Sequence, residues 1–191
     1  MWPLLFAAVV STLVVVERSF WWLRLRSISS PKNLEPIYIA LEVGDIPKAS
    51  SLTASSDDPV LQMIWRGLNH HHTSLENAMQ VSAGEQLERA GKYLGVLDTI
   101  ITLAPLLGLL GTVTGIMHSF QFVGQEQVAA VKVSGGIAEA LIATAVGLTI
   151  AIGTVIPFNF FNGRLAKLGF TLQTAATNVE VLLRSSKPNL Q

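Results

Sequence analysis

Glu139 is the residue whose chemistry most needs an explanation, because it lies inside the apolar run Ile137–Ile156. Its neighbours are small enough to let another helix approach closely: Ala138, Ala140, Ala143, Ala145 and Gly147. An ionisable side chain at the centre of a membrane helix costs about 2.5–3.5 kcal/mol on insertion scales. A desolvated carboxyl favours its neutral form, which suits either a proton relay or a hydrogen-bond partner. We expect Glu139 to serve an ion or proton path, with a static interhelical hydrogen bond as the alternative.

Two hydroxyl groups in the apolar runs could share that task. Thr144 follows Glu139 by five residues, which places it about 140° away around a helix. If both groups matter, this helix must face a pore or partners on more than one side. Thr112 lies in the preceding apolar run, where its hydroxyl either bonds back to the carbonyl of Gly108 or faces a wet pore.

Small residues form a packing face around Thr112. Gly108, Thr112 and Gly115 lie at positions i, i+4 and i+7, and Gly111 and Gly115 form a G-x-x-x-G pair. Such a pair lets membrane helices approach closely, although the motif alone is a weak signal. Pro105 precedes this face and is expected to bend the helix near its cytoplasmic end.

These residues require helices that cross a membrane, and the hydropathy pattern predicts three. Half of the 191 residues are hydrophobic, and the runs Ile100–Val123 and Ile137–Ile156 come close to the roughly 20 residues needed to span a bilayer. The run Trp2–Val16 is shorter, but aromatic residues suited to a membrane interface follow it: Phe20, Trp21 and Trp22. We therefore predict an all-α membrane protein with transmembrane helices at 1–23, 100–123 and 135–161.

The first span is expected to remain uncleaved. A signal peptide has a basic region before its apolar run and small residues at its cleavage site. Here no basic residue precedes the run, and Glu17, Arg18, Trp21 and Trp22 stand where small residues would be needed. Only Met1 precedes the run, so we expect the native N-terminus to be slightly longer.

Basic residues orient the spans. They follow the first span, precede the second and follow the third: Arg18, Arg24, Arg26, Lys32, Arg89, Lys92, Arg164 and Lys167. By the positive-inside rule, the N-terminus and the loop 124–134 are expected outside, while 24–99 and the tail 162–191 are expected in the cytoplasm. The protein is thus predicted to be a multi-pass membrane protein.

The cytoplasmic region reads as helical. Asn33 can cap a short helix that stops at Gly44, and Asp45 can cap a second one with Pro47 in its first turn. The serine-rich stretch 50–56 is expected to be a loop.

A third short helix is expected to begin at Asp58-Pro59. Its apolar residues fall on one face: Leu61, Ile64, Trp65 and Leu68. Thr73 with Glu76 fits a capping box for the helix after it.

Two longer stripes repeat in steps of three and four. One leads into the second span without a breaker and predicts a continuous helix: Leu87, Ala90, Leu94, Leu97 and Ile101. The other follows the third span: Leu165, Leu168, Leu172, Ala175, Val179 and Leu182. Two such helices can pack together as a cytoplasmic bundle.

Composition excludes several other functions. Zero net charge argues against nucleic acid as a partner, and the absence of cysteine excludes a thiolate metal site. Adjacent side chains on a helix point about 100° apart, so His70, His71 and His72 cannot converge on one metal ion by themselves. His118 is expected to be an interfacial histidine with an ordinary hydrogen bond. No nucleophile–base pair or phosphate-binding loop is present, so we predict neither an enzyme nor a cofactor.

Two segments of the sequence resemble segments of a known protein family. They read APLLGLLGTVTGIMHSF at 104–120 and IAEALIATAVGL at 137–148. Both resemble the two signature spans of the MotA/TolQ/ExbB proton-channel family, closest to its ExbB branch, with TolQ as the nearest relative. The likeness extends to the three-span topology and is most specific between Glu88 and Phe161. MotA-type stator subunits have four spans and a longer chain, so they fit less well.

The resemblance implies positions, partners and a mechanism. The family's channel-facing acidic residue and threonines correspond to Glu139, Thr112 and Thr144. It implies a homopentamer whose lumen holds single-span partners of the ExbD/TolR type, each bringing an aspartate that carries protons. The assembly would use the proton motive force to energise a TonB-like or TolA-like protein that spans the periplasm.

Three other readings remain open. A TolQ-like role in envelope maintenance shares the same spans, and a sodium-driven relative would keep much of their chemistry. In a structural scaffold, the partner's aspartate would carry all protons and Glu139 would only hold the assembly. A substrate transporter would show internal repeats or more intramembrane polar groups, and this chain shows neither.

Overall fold

Seven helices and their connections make up the described chain. The computed structural model describes residues 2–28, 34–69, 71–121 and 129–186, with the backbone alone at 71–73, 129–130, 132 and 186. The helices are α1 (Trp2–Ile28), α2 (Glu35–Glu42), α3 (Ile46–Thr53), α4 (Pro59–Asn69), α5 (His71–Gly91), α6 (Leu94–Phe120) and α7 (Ala129–Ser186). These ranges contain no strand, so the all-α prediction is confirmed. The predicted cap at Asn33 lies outside the described residues, as does His70.

Three helices are long and apolar enough to cross a membrane. They are Trp2–Ile28, Leu94–Phe120 and the part of α7 from Val133 to Ser185. The number and order of spans therefore agree with the sequence. α1 continues past the predicted end of its span, α6 begins before its predicted start and ends at Phe120, and α7 extends past both predicted ends of its span.

The chain divides into two compact units. The first draws its residues from Met1–Arg18 and Tyr93–Phe161, and the second from Ser19–Lys92 and Asn162–Gln191. Both α1 and α7 contribute to the two units. Because α7 is one helix of 58 residues, far more than the roughly 20 that cross a bilayer, its C-terminal half is available to the second unit.

In the first unit, α1, α6 and α7 pack around a small apolar core. Leu4, Ile100, Ala104 and Ala143 are its buried members. A polar contact joins α1 to α7, since the buried hydroxyls of Ser11 and Thr154 lie 2.7 Å apart. The Thr154 hydroxyl also lies 2.7 Å from a backbone carbonyl of its own helix, which can only accept, so Ser11 is the donor of the pair.

In the second unit, α2 to α5 pack with the end of α7 around one apolar cluster. Its most buried side chains include Leu41, Met63, Ile64, Leu172 and Val179. The heptad-like stripe predicted after the third span is confirmed, because Leu172, Ala175 and Val179 are buried there. On α4, Leu61, Ile64 and Leu68 are buried as predicted, whereas Trp65 is 37% exposed.

Three predicted helix ends are confirmed. Gly44 adopts a left-handed φ of 81°, and its N–H donates to the Leu41 carbonyl at 3.0 Å. A side chain with a Cβ atom is strained in that conformation, which explains the glycine. Asp45 accepts from the Lys48 N–H at 3.1 Å, and Asp58 accepts from the Val60 N–H at 2.9 Å.

One local prediction is wrong. Residues 50–53 are not a loop, because they complete α3. There Thr53 is buried and its hydroxyl bonds back to the Ala49 carbonyl at 3.1 Å, so packing outweighs weak helix propensity. After the histidines, Ser74 has extended dihedrals and its Oγ accepts from the Asn77 N–H at 3.3 Å, whereas the side chain of Thr73, which was predicted to form a capping box, lies outside the described part.

The continuous helix into the second span is also wrong. Helix α5 ends at Gly91, and α6 begins at Leu94 after Tyr93, which has a left-handed φ of 65°. Gly91 has a weak helix propensity. The Arg18 guanidinium lies 5.7 Å from the centre of the Tyr93 ring, within the range of a cation–π contact. This contact favours the turn, and apolar periodicity alone does not reveal it.

Candidate membrane-embedded site

Helices α6 and α7 approach most closely where glycines replace larger side chains. A methyl group on Gly108 would lie 3.0 Å from the Ala143 carbonyl oxygen. Methyl groups on Gly111 and Gly115 would each lie 2.8 Å from an alanine Cβ, that of Ala143 and of Ala140 respectively. No real Cβ tolerates such distances without a shift of the neighbour, so the glycines of α6 set the spacing of the two helices.

Thr144 crosses this interface. Its Oγ1 donates to the Gly108 carbonyl on α6 at 2.9 Å. That carbonyl is accessible because Gly108 has no side chain to cover it, and the same position allows the close approach of the Thr144 backbone. In this chain Thr144 therefore holds the two spans together through a half-buried hydrogen bond.

Thr112 bonds within its own helix. Its hydroxyl donates to the Leu109 carbonyl at 2.7 Å, so the predicted acceptor, Gly108, is wrong by one position. The Gly108 carbonyl instead accepts from Thr144. The Thr112 side chain is half-buried, and its hydroxyl oxygen keeps lone pairs that can accept from water or a partner.

Glu139 lies on the exposed side of α7. It precedes the buried Ala140 and lies one turn before the buried Ala143. At about 100° per residue, Glu139 is about 40° from Ala143 around the helix, which places it at the edge of the packed stripe. Within the described ranges no hydrogen bond or ion pair involves its carboxylate. A single chain therefore presents this carboxyl outward from its pair of packed spans.

The predicted site residues of the two spans therefore have different surroundings. Thr144 is used inside the subunit, whereas Glu139 faces away from it and Thr112 is half-buried. The structure of one chain brings Thr144 to Gly108, and it does not bring Thr144 to Glu139. Pro105 lies within α6, and α7 contains a second proline, Pro157, which the sequence analysis did not use.

Two polar groups of the first unit were missed. The Ser11–Thr154 pair ties α1 to α7, and each residue is a hydroxyl within an otherwise apolar run, which is the signal that could have identified it. Arg18 was read only as a topology charge. It is 2% exposed and its guanidinium bonds the Glu17 carboxylate at 2.5 and 2.6 Å, so it also has a structural part.

No metal centre is visible in the described ranges. They contain no group of three or more histidine, cysteine, aspartate or glutamate side chains close enough to hold an ion. His118 is exposed near the end of α6. The side chains of His71 and His72 lie outside the described part, as does His70 entirely.

Comparison with known proteins identifies the architecture. Residues 55–173 match the MotA/TolQ/ExbB proton channel family, a range that includes both α6 and the membrane part of α7. The chain belongs to this family. The family consists of proton channels rather than a class of enzymes.

Relatives of both the ExbB and the TolQ type are similar to this chain. The ExbB-like 3 biopolymer transport protein of Synechocystis sp. is 28% identical over 190 residues, covering 95% of this chain and 89% of the relative. ExbB of Salmonella typhimurium is 42% identical over 108 residues, with 52% and 44% covered. TolQ of Pseudomonas aeruginosa is 41% identical over 107 residues, with 56% and 46% covered. The chain thus spans less than half of the last two proteins.

Proposed function

We propose that this protein is the channel subunit of an inner-membrane complex that converts the proton motive force into mechanical work, as an ExbB-like protein does. The observation that carries the proposal is the placement of Glu139. Its carboxyl lies in an apolar span and is exposed on its own subunit. A carboxyl in that position requires water, a proton or a partner's polar group.

The threonines take different parts in this proposal. Thr112 is half-buried, and with its one proton donated to Leu109 it can accept a hydrogen bond from a lumen water. Thr144 holds the two channel helices in register through Gly108. A channel wall has to keep its shape while protons pass. In this proposal Thr144 therefore stabilises the helix that carries Glu139 and does not lie on the proton path.

Assembly and partners follow from family membership. We propose several copies, five in the family's pattern, around single-span partners of the ExbD/TolR type. The partners' aspartates would complete the path from Glu139 inward, and a TonB-like protein would receive the work. Moving one charge across 100 mV releases about 2.3 kcal/mol, so a few protons suffice for a conformational stroke. We also retain the orientation with 24–99 and 162–191 in the cytoplasm and the N-terminus in the periplasm.

Replacing Glu139 by alanine tests the proposal in the protein's own host. Energised uptake of scarce nutrients through the outer membrane should be abolished, while the complex still assembles, because the side chain is exposed and makes no hydrogen bond or ion pair with the described residues of its own subunit. A scaffold whose partner carries every proton predicts the reverse pattern, with the complex falling apart. Normal uptake by the variant would reject the proton-path assignment.

A TolQ-like role in envelope maintenance is the second candidate. It is favoured by the near-equal similarity to a TolQ and to an ExbB, at 41% and 42% identity. Native mass spectrometry of the gently extracted complex separates the two, because the co-purifying single-span partner belongs either to the uptake system or to the envelope system. A lone monomer or dimer in several mild detergents would contradict both.

A further inference from the structure

A cavity of about 290 Å³ lies in the second unit between the end of α1, the start of α4 and the first turns of α7 beyond the membrane segment. The first unit and its channel residues take no part in it. From its lining we propose that it binds the phosphodiester headgroup of an anionic lipid.

The charged residues of the cavity are mostly cationic. Arg26 comes from α1, and Arg164 and Lys167 come from α7, where a spacing of three puts them on one face. Arg26 and Lys167 are exposed and Arg164 is half-buried, so the cations stand at the rim. One carboxylate, that of Asp58, also lines the cavity. It is 4% exposed and accepts a hydrogen bond from the Val60 N–H.

The rest of the wall is apolar. Trp22, Leu25 and Leu168 line it, with Val60 beside them. A soluble anion gains nothing from such a wall, whereas the glycerol and upper acyl groups of a lipid bury apolar surface against it.

The apolar wall separates a lipid phosphodiester from a free phosphate. Three cationic residues and one buried carboxylate line the cavity, so it attracts anions in general. Only an anion that carries apolar groups can also bury them against Trp22, Leu25 and Leu168. A lipid phosphodiester is therefore favoured over inorganic phosphate by its apolar part.

The sequence places the lining residues of α1 and α7 next to the ends of two predicted spans. Trp22 and Arg26 stand at and just after the end of the predicted span 1–23, and Arg164 stands three residues after the end of the predicted span 135–161. Residues at such positions are suited to contact lipid headgroups. By the proposed orientation, these headgroups belong to the cytoplasmic leaflet.

The test is lipid binding to the full-length protein in mild detergent, measured by native mass spectrometry during titration with phosphatidylglycerol or phosphatidylcholine. We expect phosphatidylglycerol to bind at least tenfold more tightly. The double variant R26Q/K167Q should weaken that binding about 25-fold, from the usual contribution of two surface cations near anionic lipid. The control R24Q/K48Q removes the same charge from exposed positions outside the cavity and should change it less than twofold.

A second variant separates the cavity from a diffuse charge effect. Thr171 is exposed and lines the cavity, so T171W fills the space while every charge stays in place, and it should abolish phosphatidylglycerol binding. Equal losses in R26Q/K167Q and R24Q/K48Q, or unchanged binding in T171W, would overturn the proposal. Displacement of the lipid by millimolar inorganic phosphate would also overturn it, since the site would then recognise a free phosphate.

Discussion

At the scale of single residues, the chain uses its two channel-span threonines in different ways. Thr144 reaches the neighbouring helix at Gly108, and Thr112 bonds its own backbone at Leu109. Sequence reasoning identifies both hydroxyls as unusual within apolar runs. It cannot decide which carbonyl each hydroxyl reaches, because that depends on the rotation of one helix against the other.

Replacing Thr144 by valine should weaken the contact between the second and third spans. The side chain keeps its size and loses the hydrogen bond to Gly108, which is worth about 0.6 kcal/mol on average within a membrane and up to about 1.7. The denaturation midpoint of the purified protein in detergent should fall accordingly, and Thr144→Ser should retain most of the bond.

Thr149→Val is the matched control. Thr149 lies on the same helix, is exposed, and donates only to its own helix at Ala145. We expect it to leave the midpoint nearly unchanged. If both valine variants lowered the midpoint equally, the Thr144–Gly108 bond would have no special part in holding the spans.

At the scale of helices, glycine spacing predicted the packed face of α6, and the small residues around Glu139 predicted that α7 allows the close approach of another helix. Gly108, Gly111 and Gly115 stand against Ala140, Ala143 and the Thr144 backbone. The apolar periodicity missed the turn at Tyr93, since a contact with Arg18 from a distant part of the chain favours it. Periodicity reports which side of a helix is buried, whereas a local break depends on tertiary partners.

Gly111→Ala should destabilise the α6–α7 pair. The added methyl would lie 2.8 Å from the Ala143 Cβ, and such overpacking costs about 1–3 kcal/mol. Ala143→Gly in the same molecule removes the clashing atom, so the double variant should recover most of the loss. The measurement is the denaturation midpoint of the four-member cycle.

Gly153→Ala serves as the control for helix propensity. Nothing lies within 4 Å of a methyl group at Gly153, so alanine there should be neutral or slightly stabilising. An additive cycle, with no recovery in the double variant, would show that Gly111 and Ala143 do not face each other.

At the scale of the whole molecule, family membership and architecture agree. The all-α class, three spans and the amphipathic end of α7 could be predicted from hydropathy and periodicity, because long apolar helices leave few alternatives. The division between an ExbB-like and a TolQ-like role could not, since relatives of both types share the channel spans at near-equal identity. That difference resides in the partners.

The proposed function depends on one carboxyl group that exchanges protons, that of Glu139. Glu139 faces outward from its subunit, so its chemistry is completed by water, a second copy or a partner helix. A carboxyl that only holds the assembly can be replaced by an amide, which retains the size and the hydrogen bonds. A carboxyl on a proton path cannot, because an amide does not exchange its charge state at physiological pH.

The most direct measurement is therefore energised nutrient uptake in the native host carrying Glu139→Gln, with the amount of assembled complex measured in the same cells. Glu88→Gln, which removes an exposed carboxylate from α5, is the control. We expect uptake to fall to the level of cells without a proton motive force while assembly stays normal, and the control to be unaffected. Full uptake with Glu139→Gln would contradict the account.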